Sequence, residues 1–206
     1  MSGGLPVEIE RTHLISCIPN NLDSGQHLRQ WYIPISSIEI DSNISIGDLE
    51  LVPHISDEWL EGVHEALDQD DPTIRIRLND ECAILCIKGP TIGIRRIEFE
   101  WEIKPYAILK ELLESSDWPL VEKIRWDIQS EDGHIWNLDR FLGLNEGLWL
   151  AEIELRNEDT TYHCPKWVGI DVSNDPRFTS KRLAERPFSI MINPPHLPES
   201  KCYDLV

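Results

Sequence analysis

The residues that could carry chemistry fall into short rows of one charge at i, i+2 spacing. Glu8/Glu10, Glu98/Glu100/Glu102 and Glu152/Glu154 are acidic, whereas Arg75/Arg77 and Lys123/Arg125 are basic. On a β-strand, residues two apart point to the same face, so each row concentrates like charges that repel. Such rows are stable if acidic rows face basic ones, or if bound ions of opposite sign compensate them. Carboxylates suit hard divalent cations such as Mg²⁺, which take oxygen ligands and are commonly shared with phosphate oxygens. Arg and Lys suit the phosphates themselves. From composition and spacing alone two readings stand: metal-dependent handling of a polyphosphate, or solvated sheet faces joined by cross-strand ion pairs.

The elements that must position these rows are strands. Period-2 alternation marks Val7-Glu8-Ile9-Glu10-Arg11, Ile74 to Leu78, Ala83 to Lys88, Ile97 to Ile103, Lys123 to Trp126, Ile135 to Phe141 and Leu150 to Leu155. A closed barrel with a polar lumen accommodates them, its apolar faces turned outward and partly covered by helices. His54 to Gln69 predicts a helix with Ser56 as N-cap and Trp59, Val63 and Leu67 on one face. Pro105 to Ser116 predicts a second, with Ile108, Leu109, Leu112 and Leu113 on one face, and Ser180 to Glu185 a short third. Ser36 to Pro53 reads as a long loop or an additional hairpin. The expected organisation is one domain over residues 1–190 and an extended, loosely packed tail over 191–206, which holds Pro194, Pro195 and Pro198.

Composition narrows the partners. The 206 residues carry 37 Asp+Glu against 19 Lys+Arg, a net charge of −18, which disfavours nucleic acid and anionic membranes. No apolar run approaches the roughly 18 residues of a membrane span, and no segment resembles a signal peptide, so a soluble, cytoplasmic protein is expected. The five cysteines (17, 82, 86, 164 and 202) are odd in number and scattered, which predicts reduced structural thiols. Strand tryptophans alternate with the charges and belong to the outward apolar faces. The seven histidines form no metal-spaced pair and are expected at the surface or at caps, and Asp70-Asp71 and Glu131-Asp132 as solvated turns.

With these segments in order, the sequence resembles the CYTH superfamily, the triphosphate tunnel metalloenzymes, from about Val7 to Pro187. Glu8-Ile9-Glu10-Arg11-Thr12 is similar to the opening Glu-x-Glu-x-Lys signature. Arg29-Gln30-Trp31-Tyr32-Ile33, Ile87-Lys88-Gly89, Glu98-Phe99-Glu100-Trp101, Trp136 to Phe141 and Gly147 to Leu155 follow in family order. Pro165-Lys166-Trp167-Val168-Gly169-Ile170-Asp171-Val172 then resembles the P-x-W-x-G-x-E-V segment. Order and spacing are similar to those of the bacterial inorganic triphosphatase branch.

The resemblance implies an α+β fold, an eight-stranded antiparallel closed β-barrel (the triphosphate tunnel) with flanking helices. It implies Mg²⁺ or Mn²⁺ held by Glu8, Glu10, Asp139, Glu152 and Glu154, with Glu98 and Glu100 supporting. Arg75, Arg77, Lys88, Lys123 and Arg125 fall on the phosphate-binding positions, and Tyr32 with Lys123 on the water-activating ones. The implied reaction is hydrolysis of a phosphoanhydride bond in inorganic triphosphate or a nucleoside triphosphate. An inactive tunnel serving as a sensor or sequestering module, and a class IV adenylate cyclase, are the alternatives. A homodimer is compatible with outward apolar faces.

Three departures stand out. Thr12 replaces the signature Lys, and loss of such a charge-assisted contact is worth roughly 1.5–3 kcal/mol. Trp31 replaces a common Gly and is expected to crowd the tunnel mouth. An insertion runs between Pro34 and Pro72.

Overall fold

The structure is a computed structural model that describes residues 5–80, 82–104, 106–198 and 200–202. In chain order the strands are β1 (Val7–Ile15), β2 (Gln26–Tyr32), β3 (Glu39–Ile40), β4 (Ile44–Ile46), β5 (Leu49–Val52) and β6 (Thr73–Leu78). They continue as β7 (Ala83–Lys88), β8 (Arg95–Ile103), β9 (Leu120–Gln129), β10 (Ile135–Phe141), β11 (Trp149–Glu154) and β12 (Val168–Asp171). The helices are α1 (Asp57–Leu67), α2 (Tyr106–Ser115) and α3 (Ser180–Glu185). Eight strands form a closed antiparallel barrel in the order β11-β10-β9-β2-β6-β7-β8-β1, with β1 pairing back onto β11 and β12 added beside β1.

The chain divides into two compact units, and β1 and β2 each contribute residues to both. One unit takes the chain up to Glu8 and Arg29–Leu120. There the apolar faces of β6, β7 and β8 pack with α1 and α2 through Ile74, Ile76, Leu85, Ile87, Phe99, Val63, Leu109 and Leu113, each at most 4% exposed. Burying each such large side chain is worth about 1.5–3 kcal/mol. Helix α1 starts where expected: the Ser56 side chain accepts the Trp59 N–H at 3.4 Å, and Asp57 and Glu58 face the positive helix end. Helix α2 buries only Leu109 and Leu113 of its predicted face. Ile108 is 57% exposed, because the neighbouring sheet covers a narrower stripe than the periodicity suggested. The expected Pro105 start lies outside the described residues.

The insertion is structured. Glu39–Val52 forms a three-stranded sheet, β3-β4-β5, more than the long loop or additional hairpin expected. Its Ile44, Ile46, Leu51 and Val52 join the same apolar cluster. Trp31 joins it too, with the Arg29 guanidinium 5.1 Å from its ring. Trp31 therefore does not crowd the polar face of β2. Strand alternation sends it to the opposite side from Tyr32.

The second unit comprises Ile9–Leu28 and the chain from Val121 onward. Its core joins Val121, Phe141, Leu148 and Leu150 to Phe178 and Leu183. Two expectations fail here. Cys17 and Cys202 form a disulfide across 185 residues of sequence, so these two are not reduced thiols; Cys82, Cys86 and Cys164 are free. Spacing hid the pair, because it joins a β1-proximal loop to the opposite end of the chain. The described tail is extended but anchored: Ile18 N donates to Ser200 O at 3.0 Å and Cys202 N to Ile18 O at 2.8 Å. Asn20 Nδ2 adds a 2.7 Å bond to Cys202 O. The other correction is His13, which is 4% exposed rather than at the surface, wedged edge-on against Trp136 and Tyr162. It lies on the apolar face of β1, and burial holds its imidazole below the ordinary range, partly offset by Asp171.

Candidate active site

In the first unit, register builds a polar face. Tyr32 lies opposite Arg75, Arg75 opposite Cys86, and Cys86 opposite Glu100. Lys88 lies directly opposite Glu98. Cross-strand partners share a face, so the predicted basic and acidic rows meet here. Lys88 Nζ is 2.8 Å from Glu98 and 3.0 Å from Glu8, and Arg96 Nε donates to Glu8 at 2.7 Å. The Arg75 guanidinium lies 3.4 Å from Glu100 and 3.9 Å from Glu98.

This packing separates the two carboxyl groups chemically. Burial, then a hydrogen bond to Glu8, push Glu98 up to about 7, against the pull of Lys88. Burial acts on Glu8 in the same sense, but Lys88, the bond from Glu98 and Arg96 outweigh it and hold Glu8 well below the usual carboxylate range. The two shifts oppose each other, so a proton in this carboxyl pair is favoured on Glu98 and the charge on Glu8. The Cys86 thiol donates to Glu98 at 2.9 Å, and burial is the main reason it is pushed up to about 12. Arg75 is disfavoured by burial, yet Cys86, Tyr32, Glu98 and Glu100 raise it above its ordinary value, so it stays charged.

In the second unit, Arg125 on β9 lies opposite Asp139 on β10, Asn137 opposite Glu152 on β11, and Glu152 and Glu154 opposite Thr12 and Glu10 on β1. Asp139 is fully buried and accepts from Lys123 Nζ at 2.6 Å and from Arg125 Nε and Nη2 at 2.7 and 2.6 Å. Arg125 also reaches Glu152, and its Nη1 donates to Asn137 at 3.3 Å. Burial raises Asp139, but Arg125 and Lys123 outweigh it and keep the carboxylate ionised. Lys123 is driven the other way: burial first, then Arg125, lower it more than Asp139 and Glu152 raise it. Arg125 is held well above its ordinary value by Asp139 and Glu152 despite burial.

All the residues expected at the site therefore lie on polar strand faces. Glu8, Glu98, Glu100, Arg75, Arg77, Lys88 and Tyr32 belong to the first unit, and Glu10, Asp139, Glu152, Glu154, Lys123 and Arg125 to the second. Among the described residues, the three potential metal-ligand groups whose atoms come within 4.8 Å of one another are Cys86, Glu98 and Glu100. Among the described residues of the second unit, Glu10, Asp139, Glu152 and Glu154 form no such group. The faces also include Arg96, Cys86, Asn137 and Gln30, which the charge rows did not single out. Cys86 sits two residues before Lys88 and Arg96 two before Glu98, so period-2 spacing was sufficient to find both. Thr12 is held by its backbone: its N–H donates to Ser173 Oγ at 2.9 Å, and its carbonyl accepts from Val172 N at 2.8 Å.

No family model matches the chain. An inorganic triphosphatase from Acetivibrio thermocellus is 40% identical over 119 residues, which cover 57% of this chain and 75% of that protein. Another from Nitrosomonas europaea is 33% identical over 181 residues, covering 86% of this chain and 96% of that one. A crystal structure of an inorganic triphosphatase matches 88% of this chain and 97% of its own at 24% identity and a TM-score of 0.54, a likeness of fold. With 33% identity over 96% of the Nitrosomonas relative and a likeness of fold to a solved inorganic triphosphatase, the chain belongs to the CYTH superfamily of triphosphate tunnel metalloenzymes, in its inorganic triphosphatase branch.

Proposed function

We propose that the chain is a metal-dependent triphosphatase that hydrolyses a phosphoanhydride bond of inorganic triphosphate, with nucleoside triphosphates as further candidate substrates. The observation that carries this reading is the pairing of buried cations with carboxylates on the polar strand faces, Lys88 with Glu8 and Arg125 with Asp139, in a relative of inorganic triphosphatases. The phosphate-binding bases of the first unit are Arg75, Arg77 and Lys88, and those of the second are Lys123 and Arg125. Glu8 with Glu98 and Glu100, and Glu10 with Glu152 and Glu154, offer the oxygen donors that suit Mg²⁺ or Mn²⁺. A bound divalent cation supplies charge neutralisation on the phosphate oxygens. Asp139, whose oxygens are taken up by Lys123 and Arg125, anchors those bases and joins the metal set only by releasing them. Lys123, whose charged form burial disfavours, can serve as a base only once it has lost its proton; it and Tyr32 are the proposed water-activating residues.

The test is phosphate release from tripolyphosphate, ATP, GTP and thiamine triphosphate with Mg²⁺ or Mn²⁺. Tripolyphosphate is expected to turn over fastest, and release from none of them refutes the enzyme reading. Thr12 in place of the signature Lys favours a second reading, a tunnel that binds without turning over. That reading predicts thermal stabilisation by tripolyphosphate and no phosphate release. Formation of cyclic AMP and pyrophosphate from ATP identifies a cyclase instead. Among the described residues no helix is long and apolar enough to cross a membrane. Cytoplasmic location and a homodimer are proposals, tested by cell fractionation and by light scattering of the purified protein.

A further inference from the structure

Gln30 is 1% exposed, and its Nε2 amide has no hydrogen-bond partner among the described residues. A buried donor left without a partner is destabilising by about 1–3 kcal/mol, so its retention needs a reason. Its place in the sheet gives one. Gln30 lies directly opposite Arg77 in the β2–β6 ladder, and two residues on, Tyr32 lies opposite Arg75. Period-2 alternation puts Gln30 and Tyr32 on the face of β2 opposite Trp31, which is committed to the apolar cluster. The side chain therefore belongs to the same polar face as the two arginines.

We propose that Gln30 is a substrate-binding residue, its Nε2–H donating to a non-bridging phosphate oxygen of a triphosphate held by Arg75 and Arg77. This rests on the triphosphatase reading and adds to it a neutral donor. A neutral amide beside two arginines adds a hydrogen bond to an anion without adding a charge that needs its own carboxylate partner. It also favours an oxyanion with several equivalent acceptors, since the arginines and the amide each need one.

The experiment compares wild type, Gln30→Leu and Gln30→Glu in tripolyphosphate hydrolysis and in thermal stabilisation by tripolyphosphate with and without Mg²⁺. Gln30→Leu removes the unpaired donor, so unliganded stability is expected to be unchanged or higher. KM for tripolyphosphate is expected to rise roughly ten- to hundred-fold with a smaller change in kcat. Gln30→Glu keeps the shape but opposes the anion, and the loss is expected to be larger. A purely structural role, including a bound water in place of ligand, predicts wild-type KM in the Leu variant, and that result overturns the assignment. Should the Leu variant fail to fold, wild-type KM and ligand stabilisation in Gln30→Glu overturn it equally. Wild-type protein that neither hydrolyses nor is stabilised by tripolyphosphate refutes the triphosphatase reading instead, and the assignment with it.

Discussion

Lys123 Nζ lies 2.6 Å from Asp139 Oδ2, and the two side chains are 2% and 0% exposed. Neither charge reaches water, and Arg125 closes a fork on the same carboxylate. Removing the acid leaves two buried cations facing each other. Asp139→Leu is therefore expected to destabilise the fold by about 3–5 kcal/mol, on the order of 10 °C in melting temperature for a chain this long. Lys123→Met, which leaves Arg125 paired with Asp139, is expected to be clearly milder. Urea unfolding of the two variants checks this, and equal losses would refute Asp139 as the anchor of both bases.

Glu98 sets a pH dependence of unusual sign for a carboxylate. Its folded value near 7 lies above the ordinary 4.5, so the folded state holds a proton that the unfolded chain has lost. The contribution is fully present below about 4.5 and is lost as pH rises toward and through 7. Glu8 works oppositely: its lowered value adds stability above the ordinary carboxylate range and loses it on acidification. Glu98→Gln mimics the protonated form, so its melting temperature is expected to exceed wild type at pH 8 and to match it near pH 5. A parallel pair of curves across that range would show that Glu98 does not hold the proton.

The Cys17–Cys202 bond closes almost the whole chain. In the chain-entropy account a loop of that length stabilises by about 5 kcal/mol. Cys17→Ser or full reduction is expected to lower the melting temperature, and denatured, unreduced protein to give three titratable thiols. Five thiols in protein purified under non-reducing conditions would mean that the pair is not joined.

At position 12, Thr12→Lys places an ammonium opposite Glu152 and on the face that carries Glu10. If the missing cation limits phosphate binding, kcat/KM for tripolyphosphate is expected to rise by about one to two decades, the value of a charge-assisted hydrogen bond. Unchanged kinetics would show that the existing bases suffice.

Much of this site is visible as local pattern. The i, i+2 charge rows located β6, β8, β9 and β11 and named most residues on their polar faces, because strand alternation is a property of neighbouring residues. Register is not local. The sequence does not say that Lys88 opposes Glu98, or that Asp139 opposes Arg125 and is enclosed by it. That is why Asp139 read as a metal-side acid, with no sign of its bonds to Lys123 and Arg125. Cys86 and Gln30 were passed over because neither carries a charge; Cys86 shares its face with Lys88 on the same strand, whereas Gln30 meets charge only across the ladder, at Arg77. The Cys17–Cys202 pair and the burial of His13 depend on contacts between distant segments, which no spacing rule contains.

The ion pairs on both polar faces have a consequence for how ligands arrive. The resting protein carries its own counter-ions: Lys88 is neutralised by ionised Glu8, and Arg125 by Asp139 and Glu152. A polyanion that engages either base must displace a carboxylate, and the displaced carboxylate then needs another positive partner. Uptake of the anion is thus an exchange of partners rather than an addition. Its affinity is a small difference between two large attractions, and cation and polyanion are expected to enter as a couple, each tightening the other.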